Sequence, residues 1–210
     1  MLSRFFALCA LTLLAATLTG CITQPAAEIS GPLQPHPGEP VAYLVGAIGP
    51  SNAVSASWQD QRLLLRKRGS EYGAAAVWHH QPTIFTPQDV KDSGSASVFV
   101  MALKPGDYEL YDAPFSTLEY VPGVGTMARS QAPREKFNLP LRLEAGKAYY
   151  LGEFRSFCVV SACTYLWRDK LHRDRPLAQR QVPGLPTLQP LPLNLNNARP
   201  YIVPAEHIAP

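Results

Sequence analysis

The chain has 210 residues, 46% of them hydrophobic and 17% charged, and 19 Lys and Arg against 16 Asp and Glu give a formal net charge of +3. This length allows one domain or two small ones, with a core large enough to fold unaided. The hydrophobic fraction excludes a disordered protein, and the sequence lacks the glycine at every third position that collagen needs. The weak positive charge disfavours a nucleic-acid-binding protein, which usually carries a strongly basic stripe.

The N-terminus has the pattern of a secretory signal peptide, which we place at residues 1–20. Arg4 precedes an almost wholly apolar run from Phe5 to Leu18. A helix of that length reaches about 21 Å, which is shorter than the roughly 30 Å hydrocarbon core of a bilayer. The run therefore predicts a cleaved signal and not a membrane-spanning helix.

The apolar run is followed by a cysteine. Leu18-Thr19-Gly20-Cys21 resembles the lipobox of bacterial lipoproteins. In that family the cysteine thiol receives a diacylglyceryl group, the chain is cut before the cysteine, and the new amine is acylated with a fatty acid such as palmitate. The resemblance implies that lipidation of Cys21 holds the mature protein on a membrane. The alternative is an ordinary signal peptide whose cleavage leaves a cysteine nearby.

The residue after the lipidated cysteine directs sorting in this family. Ile22 occupies that position here, and a residue other than aspartate implies passage to the outer membrane. Two or three acyl chains would hold the protein essentially permanently, because each buried methylene contributes about 0.8 kcal/mol. We therefore expect a protein of the bacterial cell envelope, anchored by lipid to the outer membrane on its periplasmic face.

The four cysteines divide into two kinds. Cys9 leaves with the signal and Cys21 takes lipid, so Cys158 and Cys163 remain as an even pair in an oxidising compartment. A straight strand would separate their Cα atoms by about 16 Å, whereas a disulfide needs them within about 7 Å. A Cys158–Cys163 disulfide is therefore predicted together with a reverse turn over residues 159–162. Two buried thiols, or a redox or metal role, are the alternatives.

Prolines cluster at both ends of the mature chain, with five in residues 22–40 and seven in residues 183–210. We interpret residues 21–40 as the lipidated N-terminus and a proline-rich tether, stiffened toward polyproline II. Residues 183–210 are interpreted as a proline-rich extended tail. This tail is either disordered, or paired to a sheet edge through Tyr201-Ile-Val203, or a polyproline ligand for a partner. The folded domain is then residues 41–182.

Between these ends, short runs of alternating apolar and polar residues bounded by turn residues predict β-strands. In chain order, the predicted strands are Val41–Ile48, Trp58–Lys67, Ala74–His79, Ser97–Leu103, Tyr108–Tyr111, Phe137–Leu143, Ala148–Phe154 and Thr164–Trp167. One helix is predicted over Asp174–Gln181, with Asp174 as N-cap and Pro176 in its first turn. This pattern indicates a mainly β protein: a single antiparallel β-sandwich of seven or eight strands, with one short C-terminal helix and flexible proline-rich ends.

Two of these regions carry a second resemblance. Residues 102–111 (ALKPGDYELY) and 141–154 (LRLEAGKAYYLGEF) each have a leucine, a charged residue, a glycine turn and an aromatic strand. They resemble a family of bacterial envelope lipoproteins whose domain is similar to the transthyretin-like or carboxypeptidase-regulatory-like sandwich. The resemblance covers residues 97–154 and implies adhesion, scaffolding or ligand presentation. No catalytic residues come with it.

Motifs for catalysis are absent from the sequence, which has no G-x-S-x-G elbow, H-E-x-x-H helix or phosphate-binding loop. His79 and His80 are neighbours in a strand and would point to opposite faces, so a weak metal site is only the alternative interpretation. His172 lies near Asp169 and Asp174 in a charged run that is typical of a solvated turn, with acid–base catalysis as the alternative. We therefore predict no catalytic residue, no metal site and no cofactor.

The sharpest charge feature is the run from Arg62 to Arg68. On a strand, Arg62, Arg66 and Arg68 share one face, while Leu63 and Leu65 share the other. Three arginines on one face would suit lipid phosphates, lipopolysaccharide or an anionic glycan. The alternative is an edge strand whose charges protect it against aggregation.

These features predict a lipid-anchored, non-enzymatic binding or scaffolding module of the bacterial envelope. Its predicted partners are the membrane, through the anchor, and an envelope protein or an anionic glycan or lipid, but not nucleic acid. A second hypothesis is a hydrolase of envelope polymers whose site is assembled from distant residues. A third is an accessory subunit of a cell-surface or secretion assembly, in which the arginine-bearing strand face would be buried.

Overall fold

The computed structural model describes residues 22–92, 94–159 and 162–207, so the predicted signal peptide and Cys21 lie outside the described residues. The described chain is mainly β, as predicted. Its strands are β1 (Ile22–Thr23), β2 (Ala27–Ile29), β3 (Ala42–Pro50), β4 (Asp60–Lys67), β5 (Gly73–His79), β6 (Ile84–Phe85), β7 (Ser97–Leu103), β8 (Gly106–Asp112), β9 (Phe115–Val121), β10 (Gly125–Gln131), β11 (Leu139–Leu143), β12 (Ala148–Val159), β13 (Ala162–Arg168), β14 (Leu188–Pro190) and β15 (Ile202–Pro204).

Two α-helices and three short 3-10 helices accompany the strands. The α-helices are α1 (Ala53–Ala56) and α2 (Leu171–Gln181), and the 3-10 helices are Gly31–Leu33, Leu195–Ala198 and Ala205–His207. Helix α2 begins three residues before the predicted start. The N-cap position is Lys170, and Asp174 is instead fully buried within the helix, where its carboxylate accepts hydrogen bonds from Tyr150 and Arg173. Pro176 likewise lies inside the helix and not in its first turn.

The strands form two large sheets and one small one. The seven-stranded sheet has the order β10-β9-β4-β5-β2, with β8 also pairing to β4 and β11 to β8. The six-stranded sheet has the order β15-β13-β12-β3-β7, with β14 beside β12. A short parallel pair joins β1 to β6. All eight predicted strands are present within this arrangement.

The two large sheets face each other across a common core. Leu63 and Leu65 point into it from β4, and Leu44 and Ile48 from β3, each at most 1% exposed. Burying one leucine or isoleucine side chain stabilises the fold by about 1.5–3 kcal/mol. The alternation of apolar and polar residues along β4 thus corresponds to one buried and one outward face. The predicted sandwich-like architecture is confirmed.

The pairing differs from the predicted single antiparallel sandwich. The described residues form fifteen strands and not seven or eight, and the six-stranded sheet is mixed. Strand β12 runs parallel to both β3 and β14, and β15 runs parallel to β13. The extra parallel strands come from segments that return to a sheet edge through long connections, which short hairpin turns cannot provide.

The predicted proline-rich tether is part of the fold. Ala27–Ile29 pairs with β5 in the seven-stranded sheet, and Leu33 is 2% exposed in the core. The nearby prolines lie outside β2: Pro32 is at the start of the 3-10 helix Gly31–Leu33, where a backbone N–H would have no partner within the helix. Residues 22–40 therefore do not hold the domain away from Cys21 as a spacer would.

The predicted flexible tail is also folded. Strand β14 pairs with β12, β15 pairs with β13, and Leu185, Leu188 and Ile202 are buried. The alternative in which Tyr201-Ile-Val203 pairs with a sheet edge is thus confirmed, with the strand running from Ile202 to Pro204. Disorder of the tail is the wrong interpretation because its leucines cover apolar surface that would otherwise face water.

A β-bulge in β12 sets which side chains enter the core. The register with β3 shifts between Tyr150 and Gly152, and Gly152 has a φ of +116°. A Cβ atom there would lie 2.1 Å from the indole nitrogen of Trp167, so only glycine fits. Beyond the bulge, Phe154 faces the core and Glu153 faces helix α2.

The predicted disulfide is present between Cys158 and Cys163. The two residues are register partners in the β12–β13 hairpin, with their Cα atoms 4.1 Å apart. Val159 and Ala162, the outer residues of the predicted turn, form the next pair of this antiparallel register. Residues 160 and 161 lie outside the described residues.

We expect the double substitution Cys158→Ala/Cys163→Ala to lower the free energy of unfolding by about 2 kcal/mol, because the cross-link no longer restricts the unfolded chain. For a domain of this size that corresponds to a fall of about 4–8 °C in melting temperature. Thermal denaturation with and without a reductant measures both values. The reductant should lower the melting temperature of the wild type and leave that of the double variant unchanged. Equal melting temperatures for oxidised and reduced wild type would contradict the prediction.

Candidate functional site

The three predicted arginines lie together on the outer face of the seven-stranded sheet. Arg66 and Arg68 expose about half of their side chains, at 49% and 53%, and Arg62 exposes 31%. We call this surface the arginine face, formed by Arg62, Arg66 and Arg68 and the carboxylates of Glu28, Asp60 and Glu109. The strand that carries the arginines is β4, which pairs with β5 on one side and with β8 and β9 on the other. The interpretation of this strand as a charge-protected edge is therefore wrong.

Arg62 is held by two carboxylates. Its guanidinium donates to Asp60 at 2.8 Å and to Glu28 at 2.7 Å. The hydrogen bond to Asp60 makes the largest contribution to raising the pKa of Arg62. Glu28 comes from β2, so the segment predicted to be a tether supplies one member of the arginine face.

Arg66 and Arg68 share one buried carboxylate. Glu109, on β8, accepts a hydrogen bond from Arg66 Nε and lies 3.8 Å from Arg68 Nε, while Asn138 donates to its second oxygen at 2.7 Å. The Arg66 guanidinium also lies 4.7 Å from the ring centroid of Tyr111, a cation–π distance. Three guanidinium groups thus face three carboxylates.

This pairing changes the chemistry that the arginine face favours. A free arginine cluster attracts polyanions, but paired guanidinium groups keep only part of their hydrogen-bonding capacity and little net charge. A groove of about 460 Å³ runs beside Arg62 and is bordered by Glu28, Glu71 and Tyr111. A ligand of mixed charge fits this surface better than a uniformly anionic one.

His79 and His80 point in different directions, as the strand geometry predicts. His79 is buried, with Nδ1 3.4 Å from Asp60 Oδ2. His80 is exposed and stacks on Trp78 with ring centroids 5.7 Å apart. Across the described ranges, no group of three or more His, Cys, Asp and Glu side chains is arranged to hold a metal ion.

His80 instead lies between two cavities at one end of the sandwich. One, of about 310 Å³, is lined by Trp78 and by the chain from Pro50 to Ala56. The other, of about 350 Å³, separates His80 from Thr117 and Arg129 of strands β9 and β10. Arg129 also lies 5.1 Å from the ring centroid of Trp58, which fixes the root of these two strands.

His172, Asp169 and Asp174 do not form an acid–base pair. His172 is exposed on α2, whereas Asp174 is fully buried. The Tyr150 hydroxyl donates to Asp174 at 2.6 Å, and Arg173 donates to the other Asp174 oxygen at 2.7 Å. Burial and the neighbouring Asp174 charge raise the pKa of Tyr150 well above its ordinary value.

Asp174, Arg173 and Tyr150 belong to a largely buried charged cluster beneath α2, which was not predicted from the sequence. Arg173 lies 2.9 Å from Glu153 and donates to Asp92, and Glu153 lies 3.9 Å from Arg155. Burial alone would lower the pKa of Arg173, but its hydrogen bond to Asp174 and the nearby carboxylates raise it. Glu153 and Arg155 are 1% and 0% exposed. The signal available in the sequence was two charges two residues apart in an otherwise apolar strand. We interpret the cluster as structural, since it joins α2 to β12.

The most exposed apolar surface is a hairpin that was not predicted. Strands β9 and β10 form this apolar hairpin, Phe115–Gln131, whose register runs from Phe115↔Gln131 to Val121↔Gly125. Four of its side chains are at least half exposed: Leu118 at 52%, Tyr120 at 72%, Val124 at 69% and Met127 at 50%. Four of the eight large exposed apolar residues of the described chain therefore lie on one hairpin.

The predicted lipidation site, Cys21, lies outside the described residues, which begin at its neighbour Ile22. Ile22 donates its main-chain N–H to Thr83 at 2.6 Å, and Thr23 is in register with Phe85. Among the described helices, none is long and apolar enough to cross a membrane.

No protein-family model, curated protein or solved structure matches this chain. The resemblances to bacterial lipoproteins and to transthyretin-like sandwiches therefore remain predictions from the sequence.

We expect Glu109→Gln to release both Arg66 and Arg68 from their shared carboxylate. Loss of a charge-assisted hydrogen bond should lower the free energy of unfolding by about 1.5–3 kcal/mol. The freed arginines should raise the salt concentration needed to elute the protein from a sulfonate cation-exchange resin. Urea denaturation and chromatography at pH 7 measure the two effects.

Glu71→Gln is the matched control, because exposed Glu71 borders the same groove and its substitution makes the same change in formal charge. Elution of the Glu71 and Glu109 variants at the same salt concentration would show that the arginines were not restrained by Glu109.

Proposed function

We propose that this chain is a lipid-anchored, non-enzymatic module of the bacterial envelope that holds another envelope protein at the periplasmic face of the outer membrane. Cys21 carries the acyl chains in this proposal, and the arginine face binds the partner. The proposal refines the sequence-based prediction in one respect, since it favours a protein over an anionic glycan or lipid as the ligand.

The observation that carries the proposal is the position of Ile22, the first residue that the structure describes. Ile22 is already hydrogen-bonded to Thr83, and it directly follows the cysteine of the lipobox-like motif. Neighbouring Cα atoms are about 3.8 Å apart, so acyl chains on Cys21 would be attached directly at the surface of the folded domain. An anchor at this point would hold the domain itself against a bilayer.

The disulfide supports an envelope location. Cys158 and Cys163 are bridged within the folded domain, and such bonds persist in oxidising compartments such as the bacterial periplasm. Export through the predicted signal peptide would bring the chain into that compartment before or while the β12–β13 hairpin forms.

The charge pattern of the arginine face supports a protein ligand. Arg62 and Arg66 are bound to carboxylates, so a polyanion would have to compete with Asp60, Glu28 and Glu109 for them. A protein surface that presents both signs can pair with the remaining donors and acceptors without breaking these ion pairs. Complementary charges of this kind mainly provide specificity and fast association.

The lipid anchor is tested by expressing the full chain and its Cys21→Ala variant in a bacterium that makes lipoproteins. Intact-mass analysis should show that the wild type begins at residue 21 and carries a diacylglyceryl group and a fatty acid. The wild type should remain in the detergent phase on Triton X-114 partition. The variant should retain its signal peptide and lack the added mass. An unmodified Cys21 in the wild type would contradict the proposal.

The partner site is tested by cross-linking in living cells, followed by purification of the full-length protein. Arg68→Glu should abolish the cross-linked species, because Arg68 is half exposed and holds its carboxylate loosely at 3.8 Å. Arg180→Glu is the control, since Arg180 is exposed on α2, on the far side of the six-stranded sheet. Equal cross-linking of both variants and the wild type would reject the arginine face as the binding surface.

A further inference from the structure

The tip of the apolar hairpin lacks charge. Residues 120–128 read Tyr-Val-Pro-Gly-Val-Gly-Thr-Met-Ala, and the first charged residues on either side are Glu119 and Arg129. These two form a 3.9 Å ion pair across the hairpin. Within these nine uncharged residues, the Tyr120 and Val124 side chains are 72% and 69% exposed. Contiguous apolar surface of this kind is unfavourable in water and often marks an interaction site.

The hairpin tip is held in a defined turn. Val124 donates its main-chain N–H to Val121 at 3.0 Å, and Gly123 between them has a φ of +82°. Proline followed by a left-handed glycine is the arrangement of a type II turn. The apolar side chains of the tip are thus presented by a hydrogen-bonded turn and not by an irregular loop.

The hairpin projects from the same end of the seven-stranded sheet at which Ile22 lies. Strand β2 runs antiparallel to β5, with Ile29 opposite Ala74 and Ala27 opposite Ala76, so its N-terminal side points toward His79. His79 is opposite Asp60 in β4, and Asp60 is opposite Ser116 at the root of the hairpin.

The hairpin also extends beyond the rest of that sheet. Five residues of β9, 117–121, continue past the last pair with β4. At about 3.3 Å per residue they add roughly 16 Å. His80, which directly follows β5 and forms a bridge with Phe85 of β6, lines one cavity together with Thr117, so the start of the hairpin lies near this end of β5.

We propose that the apolar hairpin is a second membrane contact, whose uncharged tip enters the interfacial layer of the bilayer that holds the acyl chains of Cys21. This inference rests on the proposed lipid anchor, which places the bilayer at this end of the sheet. Ile22, 63% exposed, then lies at the same surface. Tyr120 suits this layer because its ring is apolar and its hydroxyl binds water or lipid headgroups.

The backbone of the hairpin limits how deep it goes. In the described sheet, β10 pairs only with β9, so its outer N–H and C=O groups need water or headgroups as partners. Such groups are not tolerated in the hydrocarbon core but are satisfied at the interface. Amphipathic segments at that level are buried by about 5–10 Å, which leaves the Glu119–Arg129 pair among the headgroups.

The test places an environment-sensitive label at the tip of the full-length lipoprotein in phosphatidylethanolamine–phosphatidylglycerol vesicles. Val124→Cys supplies a single thiol for an NBD label, since Cys158 and Cys163 are bridged and Cys21 would carry lipid. The matched control is Tyr72→Cys, which is 44% exposed at the opposite end of β4 and β5. We expect a blue shift and quenching by spin-labelled lipid for the Val124 probe and neither for the Tyr72 probe.

A second variant tests whether the apolar side chains cause the insertion. Tyr120→Asp/Met127→Asp, combined with the Val124 probe, should lose the blue shift while the lipoprotein stays with the vesicles and keeps its circular dichroism spectrum. These positions are exposed, so their substitution should leave folding intact. A retained blue shift in this variant would overturn the proposal.

The remaining outcomes separate this inference from the proposed function. If the protein is lipidated and bound to vesicles but the Val124 probe emits as it does in water, the hairpin contact is contradicted. The lipid anchor is not contradicted by that result. A blue shift without quenching by spin-labelled lipid means that protein covers the tip, a second copy included, and also overturns the contact. A chain without lipid on Cys21 overturns both proposals.

Discussion

Strand β12 constrains the whole molecule because its two faces are buried against different layers. It lies between β3 and β13, and one face covers the core while the other supports helix α2. The bulge at Gly152 permits both, since it resets the alternation partway along the strand. Phe154 therefore enters the apolar core, and Glu153 and Arg155 meet the charges of α2. An unbroken strand would place Phe154 beneath the helix and charge in the core, at a cost that buried charges rarely recover.

The surface of the protein has an apolar region and a charged region that lie apart. One end of the seven-stranded sheet carries Ile22 and the uncharged tip of the apolar hairpin. The outer face of the same sheet carries three arginines paired with three carboxylates. Under the two proposals, each surface suits a different environment: apolar side chains beside the proposed lipid anchor suit a bilayer, and paired charges of both signs suit a folded partner. The two surfaces share no residue, so the proposed membrane contact and the proposed protein contact are compatible with each other.

The eight central strands were predictable because burial leaves two patterns in a sequence. Strands β4 and β11 bury one face and alternate, whereas β3, β5 and β12 are buried on both faces and consist of short apolar runs. Strands β1, β2, β6 and β14 were missed, since two or three residues are too few to show a period and prolines nearby suggested an extended chain. The apolar hairpin was missed for the opposite reason: neither of its faces is buried along most of its length, so its sequence does not alternate. The disulfide was predictable from cysteine parity, but the charged cluster beneath α2 was not.

The eight central strands, the disulfide between Cys158 and Cys163 and the lipobox-like pattern were predictable, because each depends on residues close together along the chain. Which charges meet depends instead on the pairing of distant strands. Arg62 is bound to Glu28, 34 residues away, and Arg66 to Glu109, 43 residues away. Local patterns fix which face of a strand is buried, whereas the register between distant strands fixes its neighbours. That register pairs the three arginines, which were predicted to bind an anionic ligand, with carboxylates. It also places the hairpin at the end of the sheet where Ile22 lies.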